Sequence, residues 1–278
     1  MLTKPIIAGT DGSPESVRAV EWAAREATTH GTSLRIVAVP AMPLRMRPDQ
    51  ATRQTVASVI QQAMIRALAA AASRAAECAP ELVIETQLLA GSPATALTDC
   101  APDAAMLVIG SRGAGGLSAM VLGSVSRYVA THAACPVIVA REETTAAHRE
   151  VVAGVRDPAH SAAPLGFAFE EAALRKARLL AVHAWSPALL GGGDTQAEEE
   201  ARMEALLAPW REKYPDVEVH YEVMHAHPGR VLAGASARAD LVVLSRHVPG
   251  EPHGPGVGSV THSVLAHAHG PVASVPGE

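Results

Sequence analysis

The chain contains the same sequence pattern twice, and this internal repeat constrains its fold more than any other feature. Residues 5–16 reappear as residues 150–161, which lie 145 positions later. Farther along, the apolar run at 106–109 reappears at 241–244, which is 135 positions later, so the second copy is ten residues shorter in its middle. Colinear matching over such a length indicates duplication of a whole domain.

Each copy alternates apolar strand patterns with amphipathic helix patterns, and this order predicts an α/β fold. The first helix, predicted from Ser16 to Thr29, has an apolar face made of Val20, Ala23, Ala24 and Ala27. Alternating strands and helices imply a parallel, doubly wound, Rossmann-like sheet with helices on both faces. We therefore predict two tandem domains, residues 1–145 and 146–278, with a polar linker at Glu142–Arg149.

Composition narrows the classes of partner. Hydrophobic residues make up 48% and charged residues 18% of the 278 residues, which is typical of a globular protein. The net charge of −5 argues against a nucleic-acid partner, because such proteins usually need a concentrated basic surface. The apolar stretch Ala67–Ala72 lies between Arg66 and Arg74 and is too short to span a bilayer. We expect no membrane partner.

The three cysteines, Cys78, Cys100 and Cys135, are odd in number and widely spaced. This pattern favours neither a disulfide framework nor a metal centre, so we expect a cytoplasmic protein in a reducing compartment. No metal site is predicted.

A glycine-rich loop between Gly110 and Ser124 is the strongest functional signal in the chain. It follows the buried strand pattern of Met106–Ile109 and leads into a predicted helix, Ser124–His132. Glycines let the backbone approach a ligand, and amides at a helix N-terminus attract anions. The pattern therefore predicts a phosphate-binding loop.

Asp11 directly follows the first predicted strand and has two interpretations. Its carboxylate could accept hydrogen bonds from a ribose hydroxyl or support a metal-bound phosphate. Alternatively, Asp11-Gly12-Ser13-Pro14 is a turn in which Asp11 or Ser13 caps the next helix. The residues alone leave both open.

The loop differs from that of phosphate-transferring enzymes. No Gly-Lys-Ser/Thr follows the glycines, and no paired nucleophile and base stands out. Backbone binding of phosphate favours holding a ligand over transferring a group. No catalytic residue is predicted.

The glycine spacing resembles that of the universal stress protein family in its tandem two-domain form. Gly110, two residues, Gly113, nine residues, Gly123 and Ser124 match the family's ATP-binding pattern, and the likeness covers nearly the whole chain. The resemblance implies Thr10 and Asp11 by the ribose, Val39 by the adenine, Gly110, Arg112 and Gly113 along the ribose and phosphates, and Gly123, Ser124, Val125 and Ser126 on the phosphates.

The same resemblance implies a function. The ligand would be ATP, with Mg²⁺ left open, and the protein would form a homodimer that acts with a regulatory protein partner in stress response or dormancy. Alternatives are a slow ATPase, with at most weak ATP hydrolysis, and an interaction scaffold that binds no nucleotide.

The second copy departs from the family pattern. Ser245, Val248 and Arg156 stand where the first copy has Gly110, Gly113 and Asp11. Gly258 and Ser259 are kept in the places of Gly123 and Ser124, which leaves weak anion binding by the second copy open. Val248 replaces a glycine where the backbone must approach the ligand and where a positive φ is expected, and a β-branched residue fits poorly there. The sequence thus predicts one ATP site in the first domain and a degenerate second domain that mainly serves packing.

Overall fold

The computed structural model describes residues 4–41, 50–113, 122–141, 147–156, 160–185, 195–246 and 259–277. The chain divides into two compact units, Met1–Arg141 and Glu142–Glu278. Most of the predicted linker, residues 142–146, lies outside the described residues.

In the described residues of the first unit, five strands alternate with four α-helices. Its elements are β1 (Ile6–Gly9), α1 (Pro14–Thr29), β2 (Leu34–Ala38), α2 (Gln50–Cys78), β3 (Ile84–Leu88), α3 (Pro93–Asp99), β4 (Met106–Gly110), α4 (Ser124–His132) and β5 (Val137–Ala140).

The second unit repeats this order. Its elements are β6 (Glu150–Gly154), α5 (Ala162–Arg175), β7 (Arg178–Trp185), α6 (Gln196–Lys213), β8 (Val219–His225), α7 (Pro228–Ala235), β9 (Leu241–Arg246), α8 (Ser259–His267) and β10 (Val272–Pro276).

The described part of each unit contains five parallel strands in the same spatial order. The first unit has the order β3-β2-β1-β4-β5, and the second has the order β8-β7-β6-β9-β10. The predicted doubly wound α/β fold is confirmed. Because β1 lies between β2 and β4, the strand order reverses beside it, and ligands of such sheets bind at the carboxyl ends of the strands at that point.

Strand burial follows from position in the sheet. The central strands β1 and β4 consist of apolar residues and are buried on both faces, as parallel sheets covered by helices require. The outer strand β3 instead carries the exposed side chains Glu85, Thr86 and Gln87.

Helix α1 begins two residues earlier than predicted, because Ser13 is its N-cap and Pro14 follows it. The Ser13 hydroxyl accepts a hydrogen bond from the Ser16 amide. The first turn of a helix tolerates proline, because backbone N–H groups at that position have no partner within the helix. The predicted apolar face is confirmed: Val20, Ala23, Ala24 and Ala27 are fully buried.

Helix α2 extends well beyond the apolar stretch Ala67–Ala72, which by itself is too short to span a bilayer. Its segment Thr52–Cys78 has a mean hydropathy of 1.3 over the most apolar 18 residues, so by length and composition it could cross a membrane. Helix α2 packs against α1, β2 and β3, and Leu68, Ala71 and Ala75 in its C-terminal half are buried. The core helix of a soluble protein meets the same criteria when it is mostly buried, but only 11% of this window is buried. The absence of a membrane partner stays a prediction.

Candidate functional site

The predicted site residues come together at the carboxyl edge of the first sheet. Thr10 and Asp11 follow β1, Val39 follows β2, and Arg112 and Gly113 follow β4. The Thr10 amide donates to the carbonyl of Val37 at 2.9 Å, which joins the ends of β1 and β2. Thr10 and Val39 are 6% and 9% exposed.

The turn after β1 has the capping geometry that the sequence left as one of two alternatives. Gly12 has a φ of +80°, and the Asp11 Oδ1 atom accepts a hydrogen bond from the Ser13 amide at 3.0 Å. The Thr10 and Ser16 hydroxyls lie 3.1 Å apart, and the Asp11 amide donates to the Ser16 Oγ at 3.3 Å. The bond from the Ser13 amide orients the Asp11 carboxylate, and the other two hold the turn against the start of α1.

Gly110 has a packing role that the sequence did not predict. A Cβ atom at this position would lie 2.8 Å from both the carbonyl carbon and the oxygen of Glu15, in the first turn of α1. Real Cβ atoms essentially never approach backbone atoms this closely. A glycine here lets the N-terminus of α1 rest directly on the end of β4.

Gly113 lies against the carboxylate of Asp11. A Cβ atom on Gly113 would lie 2.5 Å from Asp11 Oδ2, although these residues are about a hundred positions apart in the chain. The expectation of a positive φ at Gly113 was wrong, because the described glycines with positive φ are Gly12, Gly31 and Gly91. Contact with Asp11, rather than backbone conformation, is what a side chain here would disturb.

Gly123 reaches the same loop from the other end. Its amide donates to the Ser111 carbonyl at 2.9 Å, and it is the N-cap residue of α4. Its φ of −60° suits any residue, and a Cβ atom would meet its nearest neighbours at 3.5 Å, an ordinary contact. No described protein contact therefore explains a glycine here. Residues 114–121 lie outside the described part of the loop.

The three remaining predicted residues lie in the first turn of α4 and differ in their exposure to solvent. Ser124 is exposed and Val125 is half-buried, whereas Ser126 is only 6% exposed. The Ser126 hydroxyl donates a hydrogen bond to the Gly110 carbonyl at 2.7 Å, so it joins α4 to β4. Ser124 presents its side chain to solvent at the positive end of the helix, where anions bind favourably.

Two arginines bring positive charge to this edge. The Arg112 Nη2 atom lies 3.1 Å from Glu15 Oε1. Arg141 follows β5, whose residue Ala140 is in register with Gly110. Burial lowers the pKa of the Arg141 guanidinium, and the nearby charge of Arg112 lowers it further. Glu15 and Arg141 were missed from the sequence. Only the position of Glu15 directly before the helix predicted from Ser16 could have marked it.

The second unit preserves the contact between its fourth strand and the helix that follows, and it keeps Gly258 in the place of Gly123, but it lacks counterparts of Gly110 and Gly113. The Thr261 hydroxyl donates to the Ser245 carbonyl at 3.2 Å, as Ser126 does to Gly110. Helix α5 begins at Ala162, and its N-cap Ser161 makes no capping bond through its side chain. The region of Val248 lies outside the described residues.

Comparison with known proteins extends over both units. The universal stress protein family model matches residues 3–141 and 148–276. A universal stress protein of Mycolicibacterium smegmatis is 34% identical over 282 residues, covering 97% of this chain and 96% of its own. The crystal structure of a universal stress protein from Archaeoglobus fulgidus covers 99% of this chain and 97% of its own, with a TM-score of 0.77 at 18% identity.

A universal stress protein solved in complex with cAMP covers 50% of this chain and 98% of its own, at 26% identity and a TM-score of 0.39. The family match in both halves and the relative at 34% identity lead to one conclusion. The chain belongs to the universal stress protein family, in its tandem two-domain form.

Proposed function

We propose that the first unit binds ATP at the carboxyl edge of its sheet and that the protein acts as a nucleotide-dependent regulator. The observation that carries this proposal is Gly123, a glycine at a helix N-terminus for which the described protein contacts give no reason. Bare backbone at such a position suits an approaching phosphate. Gly113 and the exposed Ser124 extend the same surface.

The residues fit the parts of an adenine nucleotide. Ser124 and the backbone at Gly123 would hold phosphates, and the apolar Val39 would lie by the adenine. Asp11 would accept hydrogen bonds from the ribose or provide an oxygen ligand for a phosphate-bound Mg²⁺. Arg112 and Arg141 supply the positive charge that phosphates require.

The direct test is to purify the full chain, extract it and identify any nucleotide that accompanies it. We expect about one mole of ATP per mole of chain, since the second unit has Ser245 and Val248 in the places of Gly110 and Gly113 and Arg156 in the place of Asp11. Chromatography of the extract distinguishes ATP from AMP and cAMP. Finding no nucleotide, together with no calorimetric binding of added ATP, would overturn the proposal. A ratio near two would refute the degenerate second unit.

Gly123→Ala should separate ligand binding from folding. The added methyl group meets only ordinary contacts, so we expect the free energy of unfolding to change by less than about 1 kcal/mol. Because the methyl group stands between the loop backbone and a phosphate, ATP affinity should fall at least about tenfold. Calorimetric titration measures the affinity.

The matched control is Gly234→Ala, at an exposed helical position where a Cβ atom meets nothing within 4 Å. It should leave ATP affinity unchanged. If Gly123→Ala also binds ATP as the wild type does, phosphates do not approach this glycine.

We further propose that ATP binding changes the choice of a regulatory protein partner and that the protein forms a homodimer. Sedimentation of the full chain with and without ATP measures the oligomeric state. A monomer under both conditions would exclude the homodimer.

A further inference from the structure

Glu15 lies where a phosphate-binding loop would be expected to avoid negative charge. It occupies the first turn of α1, and its backbone carbonyl faces Gly110 at the start of the loop. Its Oε1 atom lies 3.1 Å from Arg112 Nη2 and 3.6 Å from Arg18 Nη2. The side chains of Glu15 and Arg112 are 20% and 27% exposed, so solvent screens their interaction only in part.

This arrangement affects an anionic ligand in two ways. Arg112 lies at the loop, so a phosphate that uses its guanidinium competes with the Glu15 carboxylate for the same donors. The charge of Glu15 also repels any phosphate bound nearby. Both effects oppose the binding of anions, and neither acts on an uncharged ligand.

We infer that Glu15 is an internal competitor for Arg112 that limits the affinity of the site for phosphorylated ligands. The inference rests on the proposed function of the same site. It assigns Glu15 a role in specificity: the residue weakens binding more strongly as the ligand carries more negative charge. Glu15 needs no contact with the ligand for this role.

The test compares the full-length wild type with Glu15→Gln, which removes the charge and keeps the shape of the side chain. ATP, AMP and adenosine are titrated into each protein by calorimetry. We expect Glu15→Gln to bind ATP about 3- to 10-fold more tightly, AMP with a smaller gain, and adenosine with a change below about twofold. The gain in ATP affinity should shrink as salt concentration rises.

Glu21→Gln is the matched control, because it makes the same substitution on the same helix. Glu21 pairs with Arg74 of α2 rather than with the loop. The variant should leave ATP affinity unchanged within about twofold, because Glu21 lies farther along α1 from the loop than Glu15 does, and solvent screens its charge more strongly over that distance.

The double variant Glu15→Gln/Arg112→Gln shows whether the effect acts through Arg112. In the Arg112→Gln background the gain from Glu15→Gln should fall to less than half, since the competition is then removed. If Glu15→Gln raises ATP affinity as much in this background as in the wild type, Glu15 does not compete for Arg112 and acts only by charge repulsion, and the inference is overturned.

The outcomes distinguish this inference from the proposed function. A wild type that does not bind ATP overturns the proposed function, whether or not it binds adenosine. A wild type that binds ATP, with Glu15→Gln binding it equally or more weakly, overturns the inference alone. Equal tightening for ATP and adenosine also overturns it, because the effect would then not depend on ligand charge.

Discussion

Replacing Gly113 by valine is expected to lower ATP affinity at least about 100-fold while leaving the first unit folded. A Cβ atom at this position would lie 2.5 Å from the Asp11 Oδ2 atom, so the carboxylate must move. The carboxylate lies at the far end of a side chain and can rotate without moving the backbone. The substitution therefore disturbs the binding site more than the fold. The two γ-methyl groups of valine then narrow the space beside the loop.

Calorimetry measures the loss of affinity, and urea unfolding should show a change below about 1 kcal/mol. The control Gly234→Val introduces the same side chain at an exposed position in the second unit, where a Cβ meets nothing within 4 Å. Wild-type affinity in Gly113→Val would show that neither the Asp11 position nor the loop surface takes part in binding.

Replacing Gly110 by alanine is expected to act on folding itself. The new methyl group would lie 2.8 Å from the backbone carbon and oxygen of Glu15, and backbone atoms in a capped helix cannot rotate away. Either α1 or β4 must shift, so we expect a loss of about 2–4 kcal/mol in the free energy of unfolding.

Trp22, buried in α1, can report this loss by its fluorescence when Trp185 and Trp210 of the second unit are replaced by phenylalanine. Ser245→Ala in the same background is the control, because the second unit already carries a Cβ atom at the matching position. If Gly110→Ala is as stable as its parent, the N-terminus of α1 is free to retreat, and packing does not require this glycine.

The repeat and the periodicity predicted most of the fold, because both depend on patterns that are local in sequence. Helix α4 begins and ends where predicted, and the alternation of elements in the second unit follows from the first. The start of α1 was less predictable. Ser13, Pro14 and Ser16 are all compatible with a helix start, and the hydrogen bond from the Ser16 amide to Ser13 decides between them.

The site was less accessible to sequence reasoning, because its contacts join distant parts of the chain. The spacing of Gly110, Gly113 and Gly123 marked the loop but gave all three glycines one explanation. The structure separates them: a packing contact explains Gly110, the Asp11 carboxylate lies against Gly113, and Gly123 has no explanation within the described protein. The pairing of Glu15 with Arg112 depends on how α1 meets β4, which no local pattern encodes.

The hydrogen bond from Ser126 to Gly110 has a consequence for how tandem relatives are classified. Thr261 makes the equivalent bond to Ser245, which stands in the place of Gly110, so the hydroxyl joins the helix to the strand whether or not that glycine is present. A hydroxyl residue at this place is therefore a poor diagnostic of nucleotide binding. Under the proposed function, the position of Gly113 distinguishes the two units, because the second unit has Val248 there and keeps Gly258 in the place of Gly123.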